Sequence, residues 1–152
     1  MSALERGFLS ESIGHVFLSL VSLPVRNAEN GAIPDMRTDA FNVRIEFTGE
    51  RSGELGIIVE RPLAYLLTGR ILGLSDTQGL DDAMIEDALK ELANVVCGHF
   101  VTLMFGYASV FRILLPRVFS IGCIACNALK NKEDVCSFTV DGHPMMAMVR
   151  LR

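Results

Sequence analysis

Apolar and polar positions along the first half of the chain predict one helix followed by two strands. Residues 4–20 carry apolar side chains at helical spacing, which predicts an amphipathic helix. Residues 26–40 are rich in Asn, Asp, Gly and Pro, and this composition indicates a loop or a short strand between turns. Strict alternation over residues 41–48 predicts a half-buried strand, and the turn residues at 49–53 lead into a more apolar strand at 55–59.

The rest of the chain is predicted to form two more helices and a tail rich in strands. A short helix is expected at residues 63–72, where Gly73 ends it. The longest helix is expected at residues 82–105, with Asp81 or Asp82 as its N-terminal cap. The remaining apolar segments predict four strands, at residues 110–115, 118–127, 135–140 and 145–151.

The order of these elements predicts the fold class. Asp141-Gly142 is typical of a two-residue hairpin between the last two strands. Strands joined by hairpins indicate an α+β fold, with a mostly antiparallel sheet packed against long helices. A helix followed by strands occurs twice, which indicates a pseudo-duplicated unit. No linker interrupts the sequence, so we expect residues 1–152 to form a single domain.

Composition and charge exclude several classes of protein. Half of the 152 residues are hydrophobic and 21% are charged, which is a globular composition. The net charge of −4 provides no basic field for nucleic acid or for an anionic membrane. The longest apolar run near the N-terminus, residues 16–25, is about half as long as a membrane span. We therefore expect a cytoplasmic protein without membrane insertion.

Two of the four cysteines, Cys123 and Cys126, have the spacing of a zinc knuckle, but no second matching pair is present. The surrounding pattern predicts a strand, in which residues three apart point to opposite faces. We therefore expect reduced, structural cysteines and no metal site, with a metal or redox role as the alternative.

The long predicted helix carries a polar stripe opposite its apolar side. Asp87, Glu91, Asn94 and Gly98 fall within about 60° of arc at 100° per residue. A polar stripe is usually a solvated helix face. Asn and Gly are poor helix formers, however, and a helix that only faced solvent would not favour them. The stripe is therefore a candidate site that a protein surface approaches closely.

The segment from Asp87 to Gly98 resembles the signature of the CheC/CheX/FliY family of chemotaxis phosphatases. That signature is Asp or Ser, three residues, Glu, two residues, Asn, and a Pro about 22 residues later. Asp87, Glu91 and Asn94 match it, and Pro116 follows Asn94 after 21 intervening residues. The order of predicted elements resembles the family over nearly the whole chain. The resemblance implies a CheC-like α+β domain.

The resemblance also implies a function. The protein would dephosphorylate the phospho-aspartate of a CheY-type response-regulator receiver domain, with Glu91 anchoring the partner and Asn94 orienting the attacking water. Asp87, Gly98 and Pro116 would line the partner-binding surface. No cofactor of its own is implied, because the receiver domain supplies Mg²⁺.

Family members with two sites repeat the Glu-x-x-Asn pattern on the first helix. Here Glu11 is followed by Gly14 at the Asn position, so a single site is expected, as in the CheX branch. That branch implies a possible homodimer formed through the sheets. Such pairing would shield the last strand if it were an edge. Its methionines, Met145, Met146 and Met148, are expected to fill the core.

Alternatives to the phosphatase remain open from the sequence. A module of the same fold could dock a response regulator or a flagellar switch protein without hydrolysis, or the chain could only dimerise. His15, His99 and His143 lack a neighbouring acid or nucleophile in sequence, and His99 is expected to pack at the edge of the apolar face. No Gly-x-Ser-x-Gly motif and no phosphate-binding glycine loop is present.

Overall fold

The computed structural model describes residues 1–28 and 32–152, and their strands form one sheet. The strands are Val25–Ala28 (β1), Ala40–Thr48 (β2), Gly53–Glu60 (β3), Arg112–Ile113 (β4), Arg117–Ile121 (β5), Cys136–Val140 (β6) and His143–Leu151 (β7). Their order is β1-β6-β7-β3-β2-β4, and β5 pairs with β2 beside β4. Each of these strands pairs antiparallel with its neighbours, as predicted.

One helix precedes the strands, two lie between β3 and β4, and one lies between β5 and β6. They are Ala3–Val16 (α1), Arg61–Leu72 (α2), Asp82–Phe105 (α3) and Cys123–Leu129 (α4). A π-helical turn, Phe17–Val21, continues α1, so the first predicted helix is confirmed with a wider last turn. The segment expected to be a loop or a short strand begins with β1, and its residues 29–31 lie outside the described residues.

The strand order shows that the fold is built from two similar halves. With β4 set aside, the order across the sheet is β1-β6-β7-β3-β2-β5. If β1 is exchanged with β5, β2 with β6 and β3 with β7, the same order is obtained when the sheet is read from its other edge. The central pair, β3 and β7, is antiparallel, as a two-fold axis between them requires. One half begins with α1 and the other with α3, so the predicted pseudo-duplication of helix and strands is confirmed at the level of topology.

One face of the sheet packs against α1, α2 and α3 and forms the larger core. Alternate residues of β2, including Val43 and Phe47, point into this core, as the strict period of two predicts. From α3, Leu89 and Phe100 are fully buried in it. The Phe47 and Phe100 rings pack with centroids 6.4 Å apart. These contacts fix α3 on the sheet and leave its opposite side exposed.

The other face of the sheet is covered by α4 and the chain before β2. Cys126 packs there against Ile58 and Met146 in a second core. The sequence prediction of a strand through Cys123 and Cys126 is therefore wrong: Gly122 ends the strand and the chain turns into a helix. On a helix, residues three apart lie on the same side, so the geometric argument that separated these two cysteines does not hold. All four thiols are free.

The tail strands differ from prediction at the open edge of β2. The strand expected at residues 110–115 is only Arg112–Ile113, because β5 pairs with the neighbouring stretch of the same β2 edge. The last strand is not an edge, since β7 lies between β3 and β6. Its three methionines are buried, which confirms their expected role in core packing. Asp141 and Gly142 both have positive φ, as the predicted hairpin turn requires.

Candidate functional site

The candidate site lies on the solvent side of α3. Asp87, Glu91 and Asn94 are exposed, and Gly98 is half-buried on the same stripe. The opposite side of the helix supplies fully buried core residues, which are Ile85, Leu89, Leu92, Ala93, Val96, Cys97 and Phe100. The predicted separation of a polar stripe from an apolar side is therefore confirmed.

Local interactions set the ends of α3 and hence the position of the stripe. The Asp81 side chain accepts a hydrogen bond from the Met84 amide at 2.9 Å, which caps the first turn. The Arg61 guanidinium, at the start of α2, pairs with the Asp82 carboxylate at 3.1 Å. The helix ends at Gly106, whose φ of 89° lets the chain leave the helix axis. These contacts fix α3 relative to α2 and to the sheet.

The Glu91 and Asn94 side chains are available to a partner. In the described part of the chain, the α3 side chains that form hydrogen bonds are those of Asp82, His99 and Thr102. Glu91 and Asn94 lie about 4.5 Å apart along the helix axis, at 1.5 Å per residue. A carboxylate and a carboxamide so placed can reach one patch on another protein, the first as an acceptor and the second as both donor and acceptor.

Pro116 does not lie on α3 with the other four residues. It is half-buried in the connection between β4 and β5, and both strands pack against α3. The structure thus brings Asp87, Glu91, Asn94 and Gly98 together on one helix. It places Pro116 on the neighbouring connection.

A groove that the sequence did not reveal lies at the C-terminal end of the stripe. It has a volume of about 250 Å³ and is lined by Gly98, Val101, Thr102, Gly106, Tyr107, Ser109, Phe111 and Ile113. Large apolar side chains are exposed on both sides of β4: Tyr107 and Val110 before it, at 94% and 88%, and Leu115 after it, at 90%. These residues are far apart in sequence from Asn94, and only their exposure in the fold distinguishes them from core residues.

A pair of histidines joins α1 to α3. The His15 and His99 rings stack with centroids 4.7 Å apart, and Nδ1 of His99 lies 3.0 Å from Oγ of buried Ser12. The expected position of His99 at the edge of the core is confirmed. Burial and the neighbouring His15 lower the pKa of His99, while Glu11 opposes this effect. No regular spacing in the sequence predicts that His15 and His99 are in contact.

On α1, the position that corresponds to the family's second site is open. Glu11 is exposed, and a Cβ added at Gly14 would meet no atom within 4 Å. The carboxylate of the pattern is therefore present, but the carboxamide is missing.

Two further observations concern metals and membranes. Among residues 1–28 and 32–152, no group of three or more His, Cys, Asp or Glu side chains is arranged to hold a metal ion. Within the same residues, α3 alone has the length and hydropathy of a membrane span. Its apolar side is packed against the sheet, so we assign it as a core helix.

Fold and site together define an α+β domain that presents a Glu-x-x-Asn pair on an exposed helix face. The family model described as chemotaxis phosphatase CheX matches residues 41–139, which include the whole stripe and Pro116. The chain therefore belongs to the CheX family. No curated protein sequence matches it significantly.

Solved structures of this family have the same fold. Chemotaxis protein CheX from Vibrio vulnificus is 18% identical with a TM-score of 0.73, covering 99% of this chain and 97% of that one. The CheX-CheY-BeF3-Mg²⁺ complex from Borrelia burgdorferi gives 17% identity and a TM-score of 0.65, with 96% of each chain covered. FliY from Thermotoga maritima is more distant, with 13% identity, a TM-score of 0.59, and coverage of 97% and 90%.

Proposed function

We propose that this protein dephosphorylates the phospho-aspartate of a CheY-type receiver domain, with Glu91 anchoring the partner and Asn94 orienting the attacking water. The proposal is carried by Glu91 and Asn94 on α3, which are exposed and have no hydrogen-bond or ion-pair partner among residues 1–28 and 32–152, in a chain of the CheX family. The complex of the Borrelia burgdorferi CheX with CheY, BeF3 and Mg²⁺ supports a receiver domain as the partner.

The chemistry suits these residue types. An acyl phosphate is already reactive, and the partner contributes Mg²⁺ to neutralise developing charge, so the task left to this chain is to place a water in line with the phosphorus. The Asn94 carboxamide offers both an acceptor and donors for that water. The Glu91 carboxylate fits a receiver lysine, which would orient the partner over Asn94. No cofactor of this chain enters the reaction.

The rest of the partner surface follows from the neighbours of this pair. Asp87 lies one turn before Glu91, and Gly98 one turn after Asn94. We propose that both contact the receiver, and that Pro116 shapes the connection beside them. We also propose a cytoplasmic location and a homodimer formed at an open sheet edge, β1 or β5.

The test is loss of phosphate from a receiver domain carrying Mg²⁺ and labelled acyl phosphate. Wild-type protein should accelerate the loss, and Asn94→Ala should abolish the acceleration while still binding the receiver. Glu91→Gln should weaken binding, whereas Glu86→Gln, on the same helix outside the stripe, should behave as wild type. If the wild-type protein binds the receiver without accelerating loss of phosphate, it is a docking module. If it self-associates but binds no receiver, dimerisation is the only one of the three functions that remains.

A further inference from the structure

The groove between the end of α3 and β4 continues the proposed site. Gly98 belongs to both, because it follows Asn94 by one helical turn and lines the groove. At a rise of 1.5 Å per residue, Gly98 lies about 6 Å and Thr102 about 12 Å from Asn94 along the helix axis. A standard protein interface buries about 800 Å² on each side, which corresponds to a disc about 16 Å in radius. A receiver centred on Asn94 therefore covers the groove.

The groove exposes polar as well as apolar atoms, and none of its lining residues is charged, so it fits an uncharged occupant. Two of its three hydroxyl groups are bonded to the main chain, since Thr102 Oγ1 donates to the Gly98 carbonyl at 2.8 Å and Ser109 Oγ donates to the Phe105 carbonyl at 2.6 Å. The third, on Tyr107, forms no hydrogen bond within the described residues. The rest of the surface comes from Val101, Phe111, Ile113 and the Tyr107 ring. A charged group placed there would lose water without gaining a partner of opposite charge from these lining residues.

Tyr107 is the residue on this rim best suited to carry binding energy. It is 94% exposed, so its ring contributes little to the core of the free protein. Tyrosines that become buried on association are frequent hot spots, because a large rigid ring is desolvated at small entropic cost.

We propose that this groove is a docking subsite for the phosphorylated receiver domain and accepts an uncharged side chain that the receiver presents beside its phospho-aspartate. The inference rests on the proposed function and adds a second contact to the Glu91–Asn94 pair. A second copy of this chain is the competing occupant. A copy seated in the groove would cover Asn94, about 6 Å beyond Gly98 along the helix, and would exclude the receiver.

Two substitutions test the groove without disturbing the fold. Tyr107→Ala removes an exposed ring. Gly98→Ala narrows the groove, and its added Cβ would lie 3.8 Å from Ile113 Cδ1, an ordinary contact. Each has a matched control. Ile124→Ala removes an 86% exposed apolar side chain from α4 on the other side of the sheet, and Gly14→Ala makes the same change on α1, where no atom lies within 4 Å.

The experiment measures affinity for a CheY-type receiver loaded with Mg²⁺ and BeF3⁻, together with KM and kcat for the phosphorylated form. We expect Tyr107→Ala to weaken affinity and raise KM about 30-fold, with kcat changed less than twofold, because this is the loss that truncation of a hot-spot residue causes. Gly98→Ala should raise KM at least threefold, and Ile124→Ala and Gly14→Ala should match wild type.

The possible outcomes distinguish failure of the groove proposal from failure of the proposed phosphatase function. Unchanged affinity in Tyr107→Ala and Gly98→Ala, with dephosphorylation still dependent on Asn94, overturns the groove and leaves the phosphatase. No receiver binding by the wild type overturns both. If Tyr107→Ala instead converts a dimer of the free protein into a monomer in sedimentation, the occupant is a second copy and the proposal is wrong.

Discussion

Replacement of Asn94 by alanine should make the protein more stable as well as inactive. Asn94 is exposed in the middle of α3, and its side chain makes no hydrogen bond within the described residues, so no contact is lost. Alanine is the better helix former, and the gain in the free energy of unfolding should be about 0.5 kcal/mol. For a domain of this size that corresponds to a rise in Tm of about 1–2 °C.

Urea denaturation followed by circular dichroism measures this gain, with the m-value as a check that the folded state is unchanged. The same preparations are assayed for receiver dephosphorylation, in which Asn94→Ala should lose at least about 100-fold, the effect of removing one positioned donor. Asn94→Gln serves as the companion variant. It keeps the carboxamide and also favours the helix, but it displaces the amide by one methylene, and misplacement by about 1 Å already costs about 100-fold.

A decrease in stability on Asn94→Ala would refute this reasoning, because it would show that the carboxamide has a structural partner. Full activity of Asn94→Gln would also contradict it, since the position of the amide would then not matter. A variant that is more stable and less active separates a functional residue from a structural one, because selection for stability alone would not retain asparagine there.

Two further predictions concern titration and thiol chemistry. The pKa of His99 is lowered in the fold by burial and by His15, so its contribution to stability is present above its ordinary pKa and is lost as pH falls through the lower folded value. The difference in unfolding free energy between wild type and His99→Gln should therefore be larger at pH 7.5 than at pH 5, and equal differences would contradict the stacked arrangement. Burial raises the pKa of Cys97 to about 12 and that of Cys126 to about 11, whereas Cys123 is only half-buried. Iodoacetamide at pH 8 should therefore alkylate Cys123 first, as read by peptide mass spectrometry, and equally fast alkylation of Cys126 would show that α4 opens.

The sequence predicts the elements whose pattern is long and regular. Residues 41–48 of β2 alternate strictly between apolar and polar side chains, and α3 carries a cap, an apolar side and a terminal glycine, so both elements are placed correctly. The prediction fails where a short segment depends on its neighbours. Residues 123–129 are apolar enough for a strand, but they form a helix that covers the second core. Strand β4 is short because β5 pairs with the adjacent part of the β2 edge.

The same contrast holds for the site. The stripe on α3 can be read from sequence because a helix converts spacing into a common face. The groove and the histidine stack cannot, because each joins residues from different elements. In the sequence nothing distinguishes Tyr107 from a core aromatic residue, and only the fold shows that it is exposed. His15 and His99 are in contact only because α1 and α3 pack side by side.

The pseudo-two-fold arrangement of the fold places two helices, α1 and α3, in equivalent positions on the sheet. Both halves contribute strands to the centre of the sheet, where β3 and β7 pair, and both contribute a helix to the same face. Both helices therefore cover the core, and α3 carries the complete Glu-x-x-Asn pattern whereas α1 does not. Gly14, in the place of the asparagine on α1, has open space around it. A Cβ at this position on α1 would therefore meet no clash, so contact at the Cβ does not account for the glycine.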